Sequence, residues 1–302
     1  MAISKEDKIF NCVNYTVLLI IALLCLYPFI YMLALSLNSG RDTLRGGITI
    51  YPRDFTLANY GAILRDKLIL SAYKITILRT IIGTISNVFI TALVAYGLSE
   101  QRLPGRKYIM IYMVIPMFFG GGLIPYYLVL REYRLLNTFW VYIIPGLFSI
   151  WNCIVMKTSF QGIPQSLKES MRIDGANELQ IFFKVIFPLS LPMFAAISLF
   201  VAVGHWNDWF TGAYFVQKTE LVPVQTYLQM IMTRDMRAFL EKDLAVKMSQ
   251  ELMGKDLTDY SKITSFSLRI AAVLVGTLPI LFVYPFLQKY FVKGVLIGSI
   301  KG

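Results

Sequence analysis

One histidine, three cysteines and a 16% share of charged side chains in 302 residues leave this chain short of the materials of a soluble enzyme. Cys12, Cys25 and Cys153 stand far apart in apolar stretches, without the spacing of a metal or redox site, and read as small hydrophobic fillers. No nucleophile–base pair or metal cluster falls within the apolar runs. The phosphate-cradling pattern G-x-x-x-x-G-K-[ST] is missing. So are internal repeats, low-complexity tracts and the short alternating strands of an outer-membrane barrel. The basic residues are scattered over every loop instead of gathered in one patch, which argues against nucleic acid as a partner.

What is present is apolar length. Hydrophobic residues make up 56% of the chain and mean hydropathy is +0.60, the range of membrane proteins. Six runs approach the roughly 20 residues that cross a hydrocarbon core of about 30 Å: about 12–36, 75–98, 108–130, 138–157, 189–212 and 267–288. The expected fold is an all-α integral membrane protein, one transmembrane domain over 1–302. Lys5 and Lys8 before the first run resemble a signal peptide, but the run is too long and no small-residue cleavage site follows, so a retained first helix is expected. The net charge of +11 suits a neighbour of anionic lipid head groups. Between the two short loops, Arg102, Arg106 and Lys107 outnumber Arg131 and Arg134, which leans toward the N-terminus inside without settling it.

The connecting segments carry the information. Ser39 onward, "SGRDTLRGGITIYPRDFTLANY", is too charged for lipid and too short for a domain. The third run contains "IPMFFGGGLIPYY". Three glycines in a row cost a helix about 1 kcal/mol each relative to alanine, so the span is either broken there, as where a cavity is lined, or closely packed. The long loop 213–262, external in this arrangement, places Leu228, Ile231, Met232, Met236 and Leu240 at helical spacing, as an amphipathic helix on a membrane surface or partner would.

Between the fourth and fifth runs lies "KESMRIDGANELQIFFKVIFPLSLP", beginning at Lys168. Lys168, Glu169, Arg172, Asp174, Glu178 and Lys184 exclude it from lipid, at about 2.5–3.5 kcal/mol for each charge near a helix centre. Pro164 suits the first turn of a helix, with Leu167, Ser170, Met171 and Asp174 on one face. Gly175 supplies the positive φ that ends it. Asn177 and Gln180 form a capping box for a second helix, with Ile181–Val185 and Phe182–Ile186 at i+4 spacing. The result is a short hairpin of helices, which physics alone allows either to dock in a protein groove or to lie on lipid.

This block resembles the cytoplasmic signature of permease subunits of ATP-binding-cassette importers: E-A-A, three residues, G, nine residues, I-x-L-P. Here it reads Glu169-Ser170-Met171, three residues, Gly175, nine residues, Val185-Ile186-Phe187-Pro188, with spacing kept and conservative letter changes. The resemblance covers nearly the whole chain and is sharpest for carbohydrate permeases of the maltose type, in particular the oligosaccharide permeases of the lipoprotein-linked and pectin-fragment importers of Gram-positive bacteria. It is carried also by "FTLANY", "LVAYGLSEQRLPGRK", "FFGGGLIPYYLVL", "LNTFWVYIIPG", "AVGHWNDWF" and "YPFLQKYFVKGVLIGSIKG".

What the resemblance implies is a six-helix, multi-pass subunit of the bacterial cytoplasmic (inner) membrane with both termini cytoplasmic. A coupling loop would occupy 158–188 and a cytoplasmic tail 289–302. The partners would be a second homologous permease, two cassette ATPases and an extracellular sugar-binding lipoprotein. ATP and magnesium would be held by the ATPases, and this chain would carry no cofactor and no enzyme activity. Glu169, Ser170, Met171, Arg172, Asp174 and Gly175 would seat in the ATPase, and the tail residues Gly298, Lys301 and Gly302 would reach it too.

A sugar path calls for aromatic faces beside amides or carboxylates. Trp206, Asn207, Asp208 and Trp209 gather both and resemble the cluster lining the sugar pocket of maltose-type permeases, although Trp at a membrane interface would look the same. Arg79, Asn87 and Asn152 either line a polar path or bond between helices. His205 reads as a hydrogen-bonded structural residue. Two other classes stay open on the residues: a permease for amino acids or peptides, and an ion-coupled secondary transporter, the latter short of buried acids beyond Asp208.

Overall fold

The computed structural model describes residues 5–65, 67–233, 263–264 and 266–279. Among the described residues every regular element is helical, and one isolated antiparallel bridge pairs Asn38 with Phe55. The chain divides into two compact units, 1–69 with 228–278 and 70–227 with 279–302.

The first unit holds α1 (Lys5–Ser36), α2 (Gly40–Leu44) and α3 (Ala58–Arg65). Its apolar helix α1 runs through Pro28 without ending. Only 6% of the most apolar window of α1 is buried by the rest of the chain, at a mean hydropathy of 2.6, so its leucines and isoleucines need an apolar medium that the chain does not supply. The charged stretch after it forms a knot. The buried Asn38 amide donates to Asp42 Oδ2 at 3.1 Å and Thr43 Oγ1 at 3.0 Å, while its Oδ1 accepts from the Asp54 N–H at 2.8 Å. Asn59 donates to the carbonyls of Ser36 and Asn38 and accepts from Ser267 Oγ, on the helix α14 (Phe266–Pro279) introduced below. The Asn38 hydrogen bond, with Arg53 behind it, holds the Asp42 carboxyl below the usual carboxylate range.

The second unit begins within α4 (Lys67–Ser99), the longest helix. After it come α5 (Arg106–Phe118) and α6 (Leu123–Glu132), which meet at a bend of 118° across the three glycines, so the third run is broken. Gly122, at φ +80°, takes the backbone out of the helical region there. The fourth run opens as two 3₁₀ turns, Phe139–Tyr142 and Ile144–Gly146, before α7 (Ile150–Gln161), with a 46° bend. The polar hairpin follows as α8 (Gln165–Ile173), α9 (Glu178–Ile181), a π turn over Phe182–Ile186 and α10 (Phe187–Leu189). The chain then bends by 84° into α11 (Leu191–Asn207), which breaks before α12 (Phe210–Phe215).

The last described elements are α13 (Val224–Thr233) and α14. α13 carries the start of the amphipathic pattern expected in the long loop, whereas Met236 and Leu240 lie outside the described residues. The sixth run is described as the 14 residues of α14. Among the described residues two helices are long and apolar enough to cross a membrane, or up to five spans if each bent pair counts as one. The core of the second unit packs Ala92, Ala95 and Leu98 of α4 against Cys153, Met156 and Phe160 of α7, Ile181, Phe182 and Ile186 of the hairpin, and Phe194 and Ile197 of α11.

Candidate functional site: the polar hairpin and the helix break

The hairpin forms for the reasons its residues supply. Pro164 sits at the N-cap of α8, one residue earlier than the first helical turn. At the other end Gly175 adopts φ +79°, and the Ala176 N–H reaches back to the Met171 carbonyl at 2.9 Å, a glycine-mediated stop. Asn177 and Gln180 exchange both bonds of the capping box at 2.9 Å each. Beyond it the i+4 pairing gives way to a π turn, in which the Phe187 N–H reaches the Phe182 carbonyl. Pro188 directly follows in α10, and with no N–H it cannot itself donate to the Lys184 carbonyl.

The two faces of α8 are not sorted by polarity. Lys168 is the residue that turns inward, 3% exposed, with Nζ 5.7 Å from the Tyr96 ring centroid. Arg172 turns inward too. Its Nη2 bonds Glu100 Oε2 at 2.9 Å and its Nε bonds Glu178 Oε1 at 3.0 Å, while Tyr96 Oη and Glu178 Oε2 lie 2.6 Å apart. Met171 packs on the core cluster. Leu167, Glu169, Ser170, Asp174 and Gly175 point out, and Ile173, which the pattern did not single out, is 86% exposed. The electrostatics follow the pairing. Hydrogen bonds to the two glutamates raise the Arg172 guanidinium above its already high range, and the Arg172 bond lowers Glu100. Burial works against the Glu178 carboxylate, but Tyr96 and Arg172 together hold it below the usual range. Burial lowers Lys168.

The second candidate site lies where α11 stops. Asp208 takes an extended conformation, and its Oδ1 accepts the Thr211 N–H at 3.1 Å in the first turn of α12. Arg79, 0% exposed on α4, bonds Asp208 Oδ2 at 3.4 Å through Nη1 and donates to the Asp208 carbonyl through Nη2. The Tyr142 ring lies 5.1 Å from its guanidinium carbon. Asn207 and Trp209 are exposed, Trp206 and Asp208 half-buried, and Asn207 Oδ1 accepts from Gln225 at 3.5 Å. His205 packs so closely on Gly83 of α4 that any Cβ there would collide with its imidazole. Among the described residues no group of His, Cys, Asp and Glu could hold a metal ion.

Arg79 is one member of a stripe that sequence reasoning saw only in part. Thr76 Oγ1 accepts the Val224 N–H at 2.9 Å, the Asn87 amide donates to the Gly146 carbonyl at 2.6 Å, and Thr91 Oγ1 accepts the Ser149 N–H at 3.2 Å. With Arg79, α4 thus supplies partners to backbone groups where other elements begin, break or turn as 3₁₀, which a low-dielectric medium requires. Of the two roles open to Arg79 and Asn87, bonding between elements is the geometry present. Asn152 is half-buried in the first turn of α7, where its N–H bonds Ser149 Oγ. Thr76 and Thr91 lie on the same face of α4 as Arg79 and Asn87, and that periodicity was the available signal. Gly298, Lys301 and Gly302 lie outside the described residues.

With this geometry in hand, comparison with known proteins is informative. The family model described as binding-protein-dependent transport system inner membrane component matches residues 90–297. The polygalacturonan/rhamnogalacturonan transport system permease protein YtcP of Bacillus subtilis (strain 168) is 36% identical, over 98% of this chain and 100% of its own length. Protein LplC of the same organism is 33% identical, over 99% and 97%. A chain in the crystal structure of a bacterial ABC transporter involved in the import of the acidic polysaccharide alginate superposes with a TM-score of 0.82 at 31% identity, covering 96% of this chain and 99% of that one. The chain belongs to the family of binding-protein-dependent transport system inner membrane components.

Proposed function

We propose that the chain is one of two permease subunits of an ATP-driven importer in the bacterial cytoplasmic membrane, passing an acidic oligosaccharide handed over by an extracellular binding protein. The observation that carries this reading is the hairpin. It is a capped pair of helices between apolar runs, with Glu169, Ser170, Asp174 and Gly175 exposed on its outer face. A second permease and two cassette ATPases complete the assembly, and the ATPases hold ATP and magnesium. Six spans follow if each of the three bent pairs contributes one and the apolar run 267–288 crosses as the sixth. The hairpin comes after four crossings, on the side of the N-terminus, and an even number of spans puts both termini there. ATPases work in the cytoplasm, so that side is cytoplasmic. The coupling loop 158–188, the external loop 213–262 and the tail 289–302 then belong to one transmembrane domain.

In this mechanism the ATPases close on nucleotide and carry the seated hairpin with them. The permease needs only to make different contacts in its inward and outward states for that motion to shift its equilibrium. Glu169 and Asp174 offer carboxylates, Ser170 a hydroxyl and Ile173 an apolar knob to the ATPase cleft, with Met171 and Arg172 behind them. Trp206, Asn207, Asp208 and Trp209, with Asn152, are the residues assigned to the sugar path, while the buried Asn87 amide is taken up by the Gly146 carbonyl. The acidic class rests on two proteins similar over nearly the full chain, whose names give polygalacturonan/rhamnogalacturonan and alginate.

The test is uptake of labelled oligogalacturonate by cells that depend on this subunit. Gly175→Val, which places a β-branched side chain at φ +79°, and Glu169→Lys are expected to stop uptake while the protein still inserts in the membrane. Wild-type uptake by both would remove the docking role. Uptake of a neutral galactooligosaccharide but never of the galacturonate would remove the acidic substrate while leaving the importer.

A further inference from the structure

We infer that Arg172 is a positioning residue that ties the docking arm α8 to the end of α4, so that force applied to the hairpin reaches the membrane helices instead of swinging a loose arm. The inference rests on the docking reading above. It starts from how little else holds α8. Of its nine residues only Lys168 is buried, and Met171 is the one apolar side chain that packs on the core cluster, so packing holds the arm at few points. Its two covalent attachments are both turns. Upstream, α7 ends and the chain turns through Gly162 before Pro164. Downstream, Gly175 stands at φ +79°.

The second arm is held differently. Ile181, Phe182 and Ile186 are 0–1% exposed in the core beside Ala92, Ala95 and Leu98 of α4. That half would follow α4 with no charge present. The first arm depends on one guanidinium, which spans Glu100 just past the end of α4 and Glu178 at the start of the second arm. Tyr96, one turn before the end of α4, closes the triangle by bonding Glu178 and lying beneath Lys168. A planar fork can bridge two carboxylates in fixed directions, whereas an ammonium acts as a point charge. Arg172 therefore turns a two-hinge arm into one braced on a third point. The braced helix is the one that carries Arg79 to the break at Asp208.

The experiment uses the complete importer, with both permeases, ATPases and binding protein, in liposomes, with oligogalacturonate as the probe. The quantity read is sugar moved per ATP hydrolysed, alongside the amount of ATPase that co-purifies. Arg172→Gln is expected to lower that ratio roughly 2- to 30-fold, the range for residues that transmit coupling, with Arg172→Lys between it and wild type and Tyr96→Phe the mildest. A residue of merely structural importance would lower complex yield and leave the ratio of surviving complexes unchanged, and that result overturns the inference. If Arg172 variants do not assemble, Glu100→Gln, which removes one arm of the fork, is read instead, and a wild-type ratio there overturns it equally. Gly175→Val and Glu169→Lys separate the two readings. If they stop transport while Arg172→Gln keeps its ratio, docking stands and the brace falls. If they too transport normally, it is the docking reading that has failed.

Discussion

Helices α1 and α4 are nearly equal in length, and both pass as membrane spans, yet they are built for opposite surroundings. α1 is the more apolar, at mean hydropathy 2.6 against 1.8, and buries 6% of its window against 39% for α4. The lower hydropathy of α4 is the trace of Thr76, Arg79, Asn87 and Thr91, each of which meets a backbone group of another element. In a membrane protein, then, the helix with more polar residues is the one packed inside, and the more apolar helix is the one left facing outward. Polar side chains in a span signal neighbours, because lipid offers them nothing.

The comparison can be broken most sharply at Arg79. Arg79→Leu removes the donors to Asp208 Oδ2 and the Asp208 carbonyl and is expected to destabilise the subunit by about 3–5 kcal/mol, the range for breaking a buried pair. The effect should sit toward the low end, since the Asp208 side chain is 32% exposed. A thermal melt in detergent reads it, and an unchanged midpoint would contradict the stripe. Asn87→Leu removes one bond to Gly146 and should cost about 0.6–1.7 kcal/mol, as hydrogen bonds between membrane helices do. Leu19→Ala in α1 is expected within about 0.5 kcal/mol of wild type in the isolated subunit, because Leu19 is exposed there. A larger loss would mean that α1 packs more tightly than its exposure indicates.

The remaining prediction concerns pH at the end of α4. Glu100 and Glu178 are both lowered from 4.5 in the folded protein. A lowered folded value means that their contribution is complete above the unfolded value and is lost as pH falls through the folded one. Amides of α8 should therefore lose protection relative to those of mid-α4 as pH drops below about 4.5, with no change between pH 6 and 8. Equal loss in both helices would show that α8 is held by packing after all.

The hairpin was legible in sequence because its signals are local. Gly175 needs only its own φ, and the Asn177–Gln180 box closes over three residues. The break at Gly120–Gly122 was legible in kind, as one of two outcomes, but not in its 118° angle. The inward turn of Lys168 and Arg172 was not legible. Both are charged and sit on a short amphipathic helix, and only the approach of Tyr96 and Glu100, some 70 residues away, gives them a reason to point inward. Nor was the outward position of Ile173 legible, an apolar residue that is among the most exposed described.

Composition and spacing by themselves determined that this chain lives in a membrane, that its runs are helical, and that a capped polar hairpin interrupts them between the fourth and fifth. These follow from transfer energies and from bonds within a few residues. Which residues meet at Asp208, which face of α8 is outward, and which helix supplies the broken backbones with partners were decided only in three dimensions. Partners such as Arg79 and Asp208 stand 129 residues apart. Nothing local distinguishes an arginine that will meet an aspartate and a carbonyl from one that will meet water.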